Sequence, residues 1–326
     1  MVTERQPQPP ELVEGILHQG CKMVLSGTSK SNKTWCLLDL ALSVGSGQPW
    51  WGRKCKQARV VYINFELPEW ALRDRLDALL KARPECVAGL DRVHGWNLRG
   101  HSGDLARLRP DLEEELAAGE YGLVILDPAY KLLGDRDENS NGEIADLMNQ
   151  LELLAQSSGA AVVLAHHFAK GDAGAKGVMD RMSGAGVWAR DPDALLVLTP
   201  HEEEDCYTVS TVLRHVKRVP DWVVAWEYPL MRRVTDLNPE ALRSRLRNRK
   251  MCGDGKFLRT VFATGEMKDY GTIMAEGVGL GMSRSTTSRY LKRQVEAGIL
   301  EKCNGKYWKK EVQDEDERMG GEGRFA

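Results

Sequence analysis

The apolar positions of this chain alternate between short continuous runs and longer segments where they recur at helical spacing. Lys22-Met-Val-Leu-Ser26 is a brief run of strand type, and Thr34 to Leu42 carries apolar residues around a helix. Gly45-Ser-Gly47 reads as a helix stop, and Ala58 to Phe65 as a buried strand running into Glu66. Pro68 opens a long helix whose apolar side is Trp70, Leu72, Leu76, Leu79 and Leu80; Arg73, Asp74, Arg75 and Lys81 are assigned to a solvated face. Tyr121 to Leu126 is a strand ending at Asp127, Asn141 to Ser158 a helix, and Ala160 to Ala165 a further strand. Strands alternating with helices predict a mainly parallel α/β sheet. Beyond Ala194 to Leu198, the runs Cys206 to Leu213 and Asp221 to Tyr228 follow without intervening helices, which predicts an antiparallel edge.

The pattern changes again near the C-terminus. Residues 236–252 read as a basic linker containing Arg243, Arg245, Arg247, Arg249 and Lys250. Residues 253–310 then read as helix (Phe257 to Ala263), helix (Tyr270 to Gly277), turn, and a third helix (Ser283 to Ala297) with Ser283 as N-cap. A hairpin through Asn304-Gly305 closes this unit, and helix-turn-helix plus hairpin is the pattern of a winged helix. The polar residues 1–11 are expected to be flexible and the acidic 311–326 disordered, which leaves 12–235 as the main domain.

Length and charge sharpen this division. A chain of 326 residues accommodates one large core and a small satellite. Residues 241–310 hold 16 Lys and Arg against 6 Asp and Glu, a local +10, leaving −12 on the rest of a chain of net charge −2. Seven scattered cysteines without a Cys-x-x-Cys pair argue against a zinc or redox centre. No apolar run is long enough to span a bilayer and the N-terminus lacks a secretion signal, so a cytoplasmic protein with no membrane partner is expected.

Between the first strand and first helix lies Gly27, Thr28, Ser29, Lys30, Ser31, Asn32, Lys33, Thr34, the pattern of a phosphate-binding P-loop. Such a loop holds phosphates on backbone N–H groups and a helix N-terminus, with Lys33 on the β/γ-phosphates and Thr34 on Mg²⁺. ATP and Mg²⁺ are therefore the expected ligands. Asn32 stands where glycine is usual, and Asn tolerates positive φ better than most residues. Asp127, at a strand end, is the second candidate metal ligand, and Glu66 the candidate to orient or deprotonate the attacking water.

These motifs, with Leu164-Ala-His-His-Phe-Ala-Lys170, Ser183 to Arg190 and Leu213 to Arg218, occur in an order that resembles the RecA-like P-loop NTPases, specifically the RepA-type plasmid and phage ring helicases, over residues 12–232. The resemblance implies a RecA-like P-loop NTPase core with a mainly parallel sheet, followed by a small winged helix-turn-helix domain. It makes Glu66 the general base and either His166 or His167 the γ-phosphate sensor, with His166 the first choice. It also implies a homo-oligomeric ring, in the expected case a hexamer, in which a neighbour's Arg214, or second Arg218, reaches the phosphates. Single-stranded DNA would pass through the channel, with Gly171 to Lys176 a candidate contact loop.

The third helix of the C-terminal unit places hydroxyls and cations at its N-terminal end. Arg284, Ser285, Thr287, Ser288 and Arg289, with Lys306 on the hairpin, are the candidate contacts to duplex DNA. The expected function is a DNA-directed ATPase, helicase or replication protein; the alternative is a nucleotide-switched DNA-binding regulator or loader with little turnover.

Overall fold

The computed structural model describes residues 8–100, 105–134, 136–167, 186–242, 257–258, 261–262, 266–279, 284–296 and 298–309. The chain divides into two compact units, Met1–Ser244 and Arg245–Ala326.

The first unit opens with a small hairpin, β1 (Glu11–Val13) and β2 (Leu17–His18). An α/β succession follows: β3 (Lys22–Gly27), α1 (Lys33–Ser46), β4 (Arg59–Asn64), α2 (Glu69–Ala82), β5 (Val93–Asn97), α3 (Leu105–Gly119), β6 (Tyr121–Asp127), α4 (Asn141–Ser158) and β7 (Ala161–His167). A single turn, α5 (Val187–Arg190), leads to β8 (Ala194–Pro200), β9 (Cys206–Leu213), β10 (Trp222–Glu227) and β11 (Leu230–Val234).

Strands β3 to β11 form one nine-stranded sheet in the order β11-β10-β9-β8-β3-β7-β6-β4-β5. The six from β8 to β5 are parallel and β9 to β11 are antiparallel, as the loss of intervening helices predicts. The central strands are continuous apolar runs because both faces are covered. Met23, Leu25, Tyr62, Ile125 and Val163 face the cluster around α1, while Val24, Val61, Ile63, Leu126 and Leu164 face that around α4.

The 3-10 segment Pro84–Arg92, β5 and α3 are additions to the predicted elements. β5 pairs only with β4 and is largely half-buried, so Val-His-Gly-Trp-Asn lacks an apolar run; α3 contains Pro110. The expected linker also starts too early. Residues 238–242 lie on the first unit, where His201 Nε2 meets Asn238 O at 3.0 Å, Thr208 Oγ1 donates to Pro239 O at 2.8 Å, and Glu202 N to Ala241 O at 2.8 Å.

In the second unit, helices Tyr270–Gly279 and Arg284–Glu296 accompany a three-stranded antiparallel sheet, β12 (Lys268–Asp269), β14 (Lys306–Lys309) and β13 (Leu300–Cys303), in that order. Phe257, Ile273, Met274, Leu291, Leu300 and Tyr307 form its core. The hairpin turns at Asn304 and Gly305, with φ of 50° and 77°, as the Asn-Gly pair predicts. A Cβ on Gly277 would lie 2.4 Å from Thr287, so the two helices cross there at close range.

Candidate functional site

Four parallel strands end level with one another. Gly27 of β3 is in register with His167 of β7, and Asn64 of β4 with Asp127 of β6. Parallel-sheet proteins bind ligands at this carboxyl edge. A cleft of about 410 Å³ opens there, lined by Ser29 to Trp35, Glu66, Leu67, Arg75, Asp127, Pro128 and His167.

The loop from Gly27 to Thr34 wraps one wall. At Gly27 a Cβ would come within 2.6 Å of Ser31 Oγ and 3.1 Å of Leu198 Cβ, so no side chain fits. Ser31 closes the turn, its Oγ donating to Thr28 O at 2.8 Å. Asn32 has φ 58° and ψ 25°, the left-handed backbone for which glycine is usual, immediately before α1. Asn supplies that conformation at lower cost than other side chains, which explains how the loop closes without the glycine. Lys30 is also left-handed, with φ 65°.

Lys33 is buried, and its ammonium donates to Thr28 O at 2.9 Å and Gly27 O at 3.1 Å. It also lies 3.2 Å from His167 Nδ1. Burial lowers the Lys33 pKa to about 8, against the opposing pull of the Asp127, Cys36 and Glu66 charges. Burial and then the Lys33 charge depress His167 to about 4, so its neutral ring accepts the lysine proton.

Asp127 is 5% exposed. Its carboxylate accepts from Tyr62 Oη at 2.6 Å and is hydrogen-bonded by the Thr34 side chain. Burial raises its pKa, and Tyr62, Thr34, Lys33 and Arg75 act in the opposite direction. Among the described residues, no group of three or more His, Cys, Asp and Glu could hold a metal. The Thr34 hydroxyl and Asp127 carboxylate nevertheless fit Mg²⁺, which takes hard oxygen donors from one or two side chains and completes its shell with water and phosphate. Glu66 stands exposed at the mouth of the same cleft, where it can reach water.

Three placements correct the sequence reading. The histidine at the loop lysine is His167, since His166, one residue earlier on β7, points to the other face of the sheet. There it is buried and stacks on Trp188 with centroids 4.1 Å apart. Arg75 belongs to the cleft rather than to a solvated face: it is half-buried, its guanidinium 4.9 Å from the Trp35 ring centroid. Helical periodicity marks α2's apolar face but cannot show that its flank closes over another element. In the second unit, Thr287 is buried against Gly277 and unavailable to a ligand.

Tyr62 was equally hidden, since an aromatic within a strand-type run reads as core. Arg214 and Arg218 follow β9 in a loop rather than lying on a strand. The register Met23 to Ala194 to Leu213 puts that loop at the opposite edge of the sheet from Gly27. Both arginines are exposed, and Arg214 donates to Arg190 O. Neither lines this chain's own cleft. Ser288 is half-buried and accepts from Tyr270 Oη at 3.1 Å, while Lys306 is exposed on β14. The side chains of Arg284, Ser285 and Arg289, and residues 171–176, lie outside the described residues.

Comparison with known proteins agrees with this architecture. The model of the AAA domain family (AAA_25) matches residues 2–173. The solved ATPase domain of a helicase superposes with a TM-score of 0.51 at 12% identity, over 67% of this chain and 86% of that one. A KaiC-like protein, PH0186 from the hyperthermophilic archaeon Pyrococcus horikoshii OT3, gives a TM-score of 0.48 at 13% identity, over 69% and 94%. A sequence search of curated proteins finds no match. No helix among the described residues is long and apolar enough to cross a membrane. With its P-loop, its strand-end carboxylate and a mainly parallel sheet in hand, the chain belongs to the AAA domain family and has the fold of a RecA-like P-loop ATPase.

Proposed function

We propose that this chain hydrolyses ATP in the cleft at the carboxyl edge of its sheet and uses the cycle to act on DNA. The observation that carries this reading is the convergence of Lys33, Thr34, Asp127 and Glu66 on one cleft. Lys33 would leave the carbonyls of Gly27 and Thr28 for the β/γ-phosphates, while the N-terminus of α1 and the loop N–H groups hold the remaining oxygens. Thr34 and Asp127 would hold Mg²⁺, which when bound neutralises charge on the phosphate oxygens. Glu66 would orient the attacking water and take its proton, and His167 would sense the γ-phosphate through its contact with Lys33. Arg75 supplies a cation on the same wall.

The remote position of Arg214 and Arg218 supports a role for either, Arg214 first, in a neighbouring subunit of a homo-oligomeric ring. A hexamer of the RepA type, engaged in replication of a plasmid or phage, is the specific form of this reading. The second unit, with two helices, a three-stranded sheet and a basic composition, is proposed as a winged helix contacting duplex DNA through Arg284, Ser285, Ser288, Arg289 and Lys306.

The test is ATP turnover by the wild type and Glu66→Gln, each with and without single-stranded DNA. DNA-stimulated turnover that Glu66→Gln reduces by at least about a hundredfold is expected for loss of a general base. Tight nucleotide binding without turnover under any condition would sink the motor and leave a nucleotide-switched DNA-binding protein.

A further inference from the structure

A second pocket, of about 620 Å³, adjoins the nucleotide cleft and shares Glu66 with it; its other walls are Phe65, Arg99, Gly100, Tyr130 and Lys131. Arg99 is exposed just beyond β5. Tyr130 and Lys131 lie in the single 3-10 turn Ala129–Leu132 that follows Asp127. The Tyr130 ring is 38% exposed, with the Lys131 ammonium 5.1 Å from its centroid. Two cations flanking an accessible aromatic face suit a ligand that offers both phosphates and an unstacked base, which a single nucleic-acid strand does and a duplex does not.

The pocket is wired to Glu66 by two asparagines. Asn64, 2% exposed, uses its whole side-chain amide. Its Oδ1 accepts from Glu66 N at 3.2 Å and Leu67 N at 2.9 Å, and its Nδ2 donates to Leu67 O at 2.6 Å and Asn97 Oδ1 at 3.0 Å. Asn97 Oδ1 also accepts from Arg99 N at 3.3 Å. The backbone that carries Arg99 is thus two side chains from the backbone that carries Glu66. A fully satisfied buried amide transmits displacement because moving one partner costs a hydrogen bond unless the others follow. On the opposite wall, the Tyr130 ring lies 6.2 Å from that of His167.

We propose that Arg99, Tyr130 and Lys131 bind a single nucleic-acid strand and that Asn97 and Asn64 report its presence to Glu66. The inference rests on the DNA-directed ATPase reading and names the contact through which DNA would set the turnover rate. Asn97 and Asn64 are positioning residues: they touch neither nucleotide nor strand.

The test uses the full chain, fluorescein-labelled oligo(dT) with a non-hydrolysable ATP analogue for binding, and ATP turnover with and without unlabelled oligo(dT). The double variant Arg99→Ala/Lys131→Ala should weaken oligo(dT) binding by about tenfold or more, and Tyr130→Ala by roughly tenfold, the loss typical of one stacked base. A duplex of the same length should respond far less to Tyr130→Ala. Asn97→Ala should keep oligo(dT) affinity within about twofold and lose the stimulation. Asn97→Asp, which retains the acceptor oxygen, should preserve it. Circular dichroism of each variant identifies any that fails to fold, and Arg99 and Lys131, both outside the buried core, provide a variant that leaves the packing intact. If wild type is stimulated by oligo(dT) and Arg99→Ala/Lys131→Ala binds and responds equally, this pocket is excluded while the DNA-directed ATPase stands. If wild type turns over ATP but neither binds oligo(dT) nor responds to it, both are overturned.

Discussion

Tyr62 Oη donates a hydrogen bond to Asp127 Oδ2 at 2.6 Å, joining the β4 strand to the candidate metal carboxylate on its neighbour β6. Both residues are buried, so the phenol does for Asp127 what water would do at the surface: it stabilises the ionised form and fixes which oxygen faces Thr34.

Replacing Tyr62 by Phe removes that donor at nearly constant volume. A hydrogen bond to a charged group contributes ~1.5–3 kcal/mol, so the Mg²⁺ concentration for half-maximal ATP binding should rise by about tenfold or more. Calorimetric nucleotide binding across a Mg²⁺ series checks this, with metal-free ATP binding as the control. An unshifted Mg²⁺ dependence would mean that Thr34 alone holds the carboxylate.

Asn32 makes a different demand, on the backbone. Its φ of 58° predicts that Asn32→Gly folds normally and keeps ATP affinity within about twofold. Asn32→Val should lose ~1–2 kcal/mol for a branched side chain forced into the left-handed region. Urea denaturation of the two variants measures the difference directly; equal stabilities would contradict the conformational argument.

The depressed His167 pKa sets a sign for acid stability. The unfolded ring takes up a proton near pH 6.5, whereas the folded ring resists until about pH 4. Its contribution is therefore fully present above 6.5 and is lost as pH falls from there through 4. His167→Gln has no such group, so its melting temperature should fall less steeply than that of the wild type over this window. Parallel curves would show that His167 protonates freely in the fold.

Far from the cleft, Arg83 and Asp39 form a buried ion pair between the 3-10 segment and α1, completed by Ser43 Oγ at 2.6 Å and Pro49 O at 3.0 Å from the guanidinium. Burial raises the Asp39 pKa while Arg83 opposes it. Arg83→Met strands the carboxylate and should cost ~3–5 kcal/mol in urea unfolding. Adding Asp39→Leu should recover much of that, because the penalty belongs to the unpaired charge and not to the missing contact.

The local chemistry of the site was legible along the chain. The order of strand, Gly27 to Thr34 and helix follows from apolar pattern and glycine position, and Glu66 and Asp127 stand out because a charge closes an apolar run. The division between units near residue 240 is marked by the shift from apolar runs to a basic, arginine-rich stretch. Even the Asn32 substitution could be judged, since its tolerance depends on a residue's own φ preference.

What the chain alone could not settle was which side chains meet across elements. His166 and His167 are equivalent in composition, and only the pleat of β7 beside β3 puts the second of them on Lys33. Arg75 looks solvated until α2 is packed against Trp35, Tyr62 looks like core until β4 is paired with β6, and Thr287 looks exposed until its helix crosses Gly277. The distance of Arg214 from the cleft follows from strand register, which puts it at the far edge of the sheet. Backbone preference and apolar periodicity act over a few neighbouring residues and are written in sequence order, whereas these pairings join positions up to 134 residues apart, as Lys33 and His167 are, and exist only once the sheet has fixed its strand order and register.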